Sequence, residues 1–193
     1  ATNYTAELAS VILHDSAHLQ MEDAKYAAKK GYSKHEIPLP LYNADDAENA
    51  LRLFKRTSFH ARTQVAPDAW VTWYPSGHIL GSSFIVLEIA DKKLLFTGDL
   101  GRNNHPLLSN PDMPPQENFD AILTESTYGD RTHDAKPEDF ARELNAAIKR
   151  GGSILIPAFA VDRTEVILMA LRELMEKKLV PIIPIYVDSP MAL

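Results

Sequence analysis

The apolar positions of the chain follow two periods, and the switches between them mark its elements. Thr2 to Lys30 reads as a helix, with Leu8, Val11, Ile12 and Leu19 as its apolar face and Gly31 as a natural stop. A loop carrying Pro38 and Pro40 leads to Asn43, which is placed to cap a second helix. Asp45 and Asp46 in its first turn suit the positive end of the helix dipole, and Ala47, Leu51 and Phe54 form its expected core face. Ala69 to Tyr74 is a short aromatic strand. A hairpin follows: Ser83 to Ala90 is rich in β-branched and aromatic residues, Asp91-Lys92 is the expected turn, and Lys93 to Thr97 returns. Asn103 to Asn118 holds four prolines without periodicity and reads as a surface loop.

From Phe119 strands and helices alternate. A strand from Phe119 runs to Glu125, and a helix spans Pro137 to Arg150 with Pro137 at its first position. Gly151-Gly152 ends that helix, and Ser153 to Pro157 reads as the next strand. Asp162 with Glu165 three residues on resembles a capping box opening a helix to about Lys178. Ile182 to Val187 is a third strand, where Pro184 indicates an edge or irregular position. A β-α-β-α-β order predicts parallel strands joined by right-handed crossovers. Glu125, the loop around Phe159 and Asp188 would then lie at strand carboxyl ends, where open α/β sheets bind ligands.

The hairpin also brings chemistry together. Pairing across the expected turn sets Asp99 opposite Phe84, so Asp99 and the loop carrying His78 emerge at one end of the sheet. An imidazole and a carboxylate side by side are the raw material of a hydrolytic metal site. Taken alone these are weak signals, because a loop histidine is more often a surface residue and an aspartate after Gly98 is a common turn residue. His14 and His18 have the four-residue spacing of a helical zinc pair. Asp15, however, follows His14 where a zinc protease carries its glutamate base, and no metal role is assigned to them. His35, His60 and His105 read as surface residues. Trp70, Trp73 and Tyr74 on a strand read as packing rather than as a platform for bases.

Composition narrows the chemistry further. At 193 residues and 45% apolar content, the chain has the make-up of a globular protein with a substantial core. No apolar run approaches a membrane span, and no secretory signal is visible. Cysteine is absent, so disulfides and thiolate metal sites are excluded, and any metal is held by His, Asp or Glu. That composition fits a reducing cytoplasm, the expected location. A formal charge of −6 means that any surface contacting nucleic-acid phosphates must be a local one.

Four segments share one further property. Ser76-Gly77-His78-Ile79-Leu80-Gly81-Ser82, Phe96-Thr97-Gly98-Asp99, Glu125-Ser126-Thr127-Tyr128-Gly129-Asp130-Arg131-Thr132-His133 and Ile156-Pro157-Ala158-Phe159-Ala160-Val161-Asp162-Arg163 occur in this order. In order and spacing they resemble the β-CASP nucleases, a branch of the metallo-β-lactamase superfamily that includes the pre-mRNA 3′-end processing endonuclease and bacterial and archaeal RNA-cutting relatives. The match runs over essentially the whole chain. The Glu-Ser-Thr-Tyr-Gly signature is specific to the branch, whereas the His and Asp motifs are shared with lactamases and glyoxalases.

The resemblance implies an α/β fold in which residues 1–125 are the second part of a metallo-β-lactamase αββα sandwich and residues 126–193 open a parallel α/β β-CASP cassette. It implies that His78 binds one zinc ion and that Asp99 bridges two. Glu125 would be an acid that hydrogen-bonds a ligand histidine and holds its tautomer. Arg131, His133 and Arg163 are lesser candidates near phosphate, and Ser189-Pro190 for the substrate channel. The implied activity is zinc-dependent phosphodiester cleavage of single-stranded RNA, by in-line attack of a metal-held hydroxide. The family's His-x-His-x-Asp-His motif is missing, and its last His motifs are expected beyond Leu193. The chain is therefore expected to be an internal fragment, inactive alone, with weak zinc binding. An exposed sheet edge would favour association with the rest of the protein or with another copy. The alternatives are a non-catalytic β-CASP scaffold or RNA-binding subunit, and a generic metallo-β-lactamase-fold hydrolase of thioesters or lactams. The Glu-Ser-Thr-Tyr-Gly signature argues against the last.

Overall fold

A threonine opens the first helix. In a computed structural model, which describes residues 1–132, 137–189 and 191, the Thr2 side chain accepts a hydrogen bond from the Thr5 N–H at 3.2 Å. Helix α1 runs Asn3–Lys30 and is ended by Gly31 at φ 67°. Its buried residues are alanines (Ala6, Ala17 and Ala27), whereas Val11 and Leu19 are 47% and 54% exposed. The expected apolar face is thus corrected: α1 packs through side chains small enough for close approach, which a pattern of large residues does not report. Helix α2, Ala44–Arg52, opens on a reciprocal box. Asn43 Oδ1 accepts the Asp45 and Asp46 N–H groups at 2.8 and 3.1 Å, and Asp46 Oδ2 accepts the Asn43 N–H at 3.0 Å.

Five strands follow: β1 Thr63–Ala66, β2 Ala69–Pro75, β3 Ser83–Ile89, β4 Lys92–Phe96 and β5 Ala121–Leu123. They form one sheet in sequential order, antiparallel from β1 to β4, with β5 parallel to β4. The β3–β4 turn is Ala90-Asp91, one residue earlier than expected, because Ile89 pairs with Lys92. Ala90 adopts the left-handed φ of 53° that so tight a hairpin demands. With Ile85 paired to Phe96, continuing the register sets Asp99 opposite Ser82 rather than Phe84. The correction moves Asp99 onto the His78 loop itself.

Period-two alternation accounts for the core of this sheet. Phe84 and Val86 on β3 and Leu95 on β4 are buried together, with Tyr74 and Phe119 against them. The Tyr74 ring stacks on Phe84 with centroids 5.0 Å apart. Each such burial contributes about 1.5–3 kcal/mol. Strand β1, which the sequence pattern does not single out, is a four-residue edge with a break in register between Gln64 and Ala66. Beside it the Arg62 guanidinium lies 4.1 Å over Trp70 and donates to Glu88 at 2.8 Å, so the tryptophan serves packing here. This ion pair holds the Glu88 carboxyl below its ordinary range. Asp120 fastens β5 to β4: its carboxylate accepts the Lys93 N–H at 2.9 Å and Lys92 Nζ at 3.0 Å. The backbone N–H first and then the ammonium lower its pKa.

The chain divides into two units, Ala1–Glu125 and Ser126–Leu193. The second unit contains helices α3, Pro137–Arg150, and α4, Arg163–Glu176, around Leu144, Leu171 and Val180. Neither Ser153–Pro157 nor Ile182–Val187 forms the expected strand. Leu155 is 90% and Ile182 89% exposed. A strand needs a neighbour to hydrogen-bond, and Pro157, Pro181 and Pro184 offer no N–H to a ladder. The parallel β-α-β-α-β arrangement is therefore not formed, and neither the Phe159 loop nor Asp188 ends a strand. Asp162, at φ 71°, makes no side-chain capping bond. Phe159 O instead accepts the Thr164 N–H and Oγ1–H at 3.1 and 2.8 Å, securing the start of α4. No helix among the described residues is long and apolar enough to cross a membrane.

Candidate metal centre

The loops after β2 and β4 and the residues after β5 all leave the first unit's sheet at one end, because β2 and β4 run antiparallel to the intervening β3 and β5 runs with β4. This topology brings His78, Asp99 and Glu125 to that end. His78 Nε2 lies 3.6 Å from Asp99 Oδ2, with the side chains 43% and 76% exposed.

The His78 loop is held from within and from α1. Ser82 Oγ accepts both the His78 and Ile79 N–H groups, at 3.0 and 3.1 Å, and the Ser76 N–H donates to Ser82 O at 3.1 Å. Thr5 Oγ1 donates to Gly81 O at 2.8 Å, so the start of α1 buttresses the loop. Gly81 sits at φ 81°, and a Cβ there would lie 2.4 Å from the Thr5 nitrogen. The Asp99 loop is tied to the same place: the Gly101 N–H donates to Ser76 O at 2.8 Å, and a Cβ on Gly101 would lie 1.8 Å from Gly77 O. Only glycine permits this approach of two backbones.

Glu125 stands on the other side of the Asp99 loop. Its Oε1 accepts the Leu100 N–H at 2.9 Å, and its own N–H donates to Thr97 Oγ1 at 3.2 Å. Thr97 N–H in turn donates to Leu123 O at 3.0 Å, continuing the β4–β5 ladder. Ser82, Thr97 and Thr5 are supporting residues that motif spacing alone overlooks. The available signal was chemical: Ser82 and Thr97 are hydroxyl residues flanking glycine turns, where such groups bond backbone amides.

Arg131 lies in the second unit, 3.5 Å from Asp130, and Arg163 is the first residue of α4. His133 and Pro190 lie outside the described residues. His14 places Nδ1 2.6 Å from Ser10 O and Nε2 3.5 Å from Glu48. His60 pairs with Asp112 and meets the Tyr74 ring edge-on at 5.4 Å.

The His78–Asp99 pair has donor types suited to zinc. Two ligands of a tetrahedral zinc, each about 2.0–2.1 Å from it, stand about 3.3–3.4 Å apart, close to the observed separation. Among the described residues no three His, Cys, Asp or Glu side chains converge as a metal site. The pair therefore fits as part of a ligand set, not as a complete one.

The chain matches no protein-family model. It is 31% identical over its whole length to ribonuclease TTHA0252 of Thermus thermophilus, of which it spans 40%. An RNase J-like protein of Methanocaldococcus jannaschii is 30% identical over 77% of the chain, which covers 36% of that protein. Cleavage and polyadenylation specificity factor 73 of Drosophila melanogaster is 34% identical over 79% of the chain, covering 22% of the factor. The chain thus spans well under half the length of these relatives. These relatives are members of the β-CASP branch of the metallo-β-lactamase superfamily, and the chain is similar to them over most of its own length.

Proposed function

We propose that this chain is part of a zinc-dependent phosphodiesterase that cleaves single-stranded RNA. The observation that carries the reading is the pair His78 and Asp99, 3.6 Å apart on two loops that backbone contacts hold together, in a chain similar to proteins named as ribonucleases. In this reading residues 1–125 are the second part of the lactamase-type αββα sandwich, and residues 126–193 open the β-CASP cassette. His78 and Asp99 hold metal, and the rest of the ligand set comes from outside the described residues. Zinc, when bound, supplies Lewis-acid stabilisation of charge at the phosphate. The contribution of this chain is positional: the Ser82 hydroxyl fixes the histidine loop, and Gly101 lets the aspartate loop close on it. The 193-residue chain alone is inactive and binds zinc weakly, since two ligands leave most of a two-metal site unfilled. The protein works in the cytoplasm.

RNA cleavage and zinc content of the whole protein test this reading, beside Asp99→Ala and His78→Ala variants. Each variant is expected to lose zinc and to cut RNA more than about a hundredfold more slowly. Full zinc occupancy and undiminished cleavage in both would refute it. A whole protein that binds RNA without cutting it would support a scaffold instead.

A further inference from the structure

Asp99 is enclosed by a ring of bonds that its sequence motif does not disclose. The ring runs along the backbone from Thr97 through Gly98 and Asp99 to Leu100. It crosses from the Leu100 N–H to Glu125 Oε1 at 2.9 Å and returns from the Glu125 N–H to Thr97 Oγ1 at 3.2 Å. Thr97 is 8% exposed, so its hydroxyl is a fixed anchor, and it also donates to Gly98 O at 2.9 Å. Just past the ring, the Gly101 N–H bonds Ser76 O at 2.8 Å, two residues before His78. Whatever holds Leu100 therefore sets the spacing of His78 and Asp99.

We infer that Glu125 is a positioning residue, whose side-chain oxygen clamps the Leu100 amide and so fixes Asp99 against His78. That task requires an acceptor at the reach of glutamate; it does not require a negative charge or a transferable proton. Glutamine keeps an amide oxygen at the same reach. Aspartate keeps the charge but is shorter by one methylene, about 1.5 Å. A 2.9 Å bond stretched by that amount is no longer a hydrogen bond. The two substitutions therefore separate reach from charge. The inference rests on the metal reading of Asp99 only for its consequence; the clamp itself is a statement about the Leu100 amide.

The experiment is hydrogen exchange at Leu100, read by residue-resolved mass spectrometry on the whole protein, with zinc affinity measured in parallel. Glu125→Gln is expected to keep Leu100 exchange within about tenfold of the unsubstituted protein. Glu125→Asp and Glu125→Ala are expected to exchange at least about tenfold faster than Glu125→Gln. Zinc affinity should fall in the same order, with Gln above Asp and Ala. Fast exchange in Gln with slow exchange in Asp would overturn the inference, since charge rather than reach would then matter. Asp99→Ala separates the two readings: if it keeps its zinc, the metal assignment fails, while the Leu100 pattern still decides the clamp.

Discussion

The two units use similar proportions of apolar sequence to different effect. In Ala1–Glu125 the runs 69–75, 83–89 and 92–96 become a sheet, because short hairpins bring each strand beside the next. In Ser126–Leu193 the comparably apolar runs 153–157 and 182–187 stay outside any ladder, although the helices beside them form as expected. A helix closes its hydrogen bonds within itself, whereas a strand completes them on a neighbour. Parallel neighbours also require a crossover, whose closure costs entropy before any pairing offsets it. Apolar strand-like sequence therefore states a capacity, which only a partner realises.

The comparison can be broken by emptying each unit's core. Phe84→Ala should destabilise the first unit by about 3–5 kcal/mol, and Leu171→Ala the second by about 2–5 kcal/mol. Amide exchange along β2–β4 reads the first and exchange along α3 and α4 the second. In both variants the amides of 154–156 should exchange at near free-chain rates, as in the unsubstituted protein; strong protection there would contradict the account of the missing strands. A smaller effect sharpens the picture at the sheet end. Gly101→Ala, forced against Gly77 O, should cost about 3 kcal/mol. Thermal unfolding would then fall by about 6–12 °C.

The smallest expected effect is set by pH. Asp120 has a pKa below its ordinary value of 3.8 because the Lys93 N–H and Lys92 stabilise its charged form. A depressed folded pKa contributes stability that is complete above the unfolded value and lost as pH falls through the folded one. Acid below about pH 4 should therefore loosen β5 from β4. Asp120→Asn should flatten that part of the stability–pH curve, and an unchanged curve would refute the assignment.

Much of the first unit was legible from residue type and period. Gly31 and Asn43 mark helix ends through local chemistry that needs no tertiary partner. The β-branched and aromatic residues from Ser83 to Ala90 mark a strand, and the hairpin it opens already implies that His78 and Asp99 share one end. The turn was misplaced by one residue because Ala90 takes a left-handed φ that sequence preferences assign to other residues. The alanine face of α1 was hidden because small residues signal close packing only when the neighbour is known. Glu125 was legible as part of a motif, but its bond to the Leu100 amide was not, since it joins two strands' ends across 25 positions of chain.

By itself, then, the sequence determined where most helices begin and end and which runs form the β3–β4 hairpin. Each of these depends on bonds or periodicities that span a few residues. Tertiary structure decided which strands found partners, how closely Gly101 meets Gly77, and which amide Glu125 holds. Those outcomes depend on the meeting of backbones far apart in the chain, where a glycine's missing Cβ or a glutamate's extra methylene settles whether contact is made.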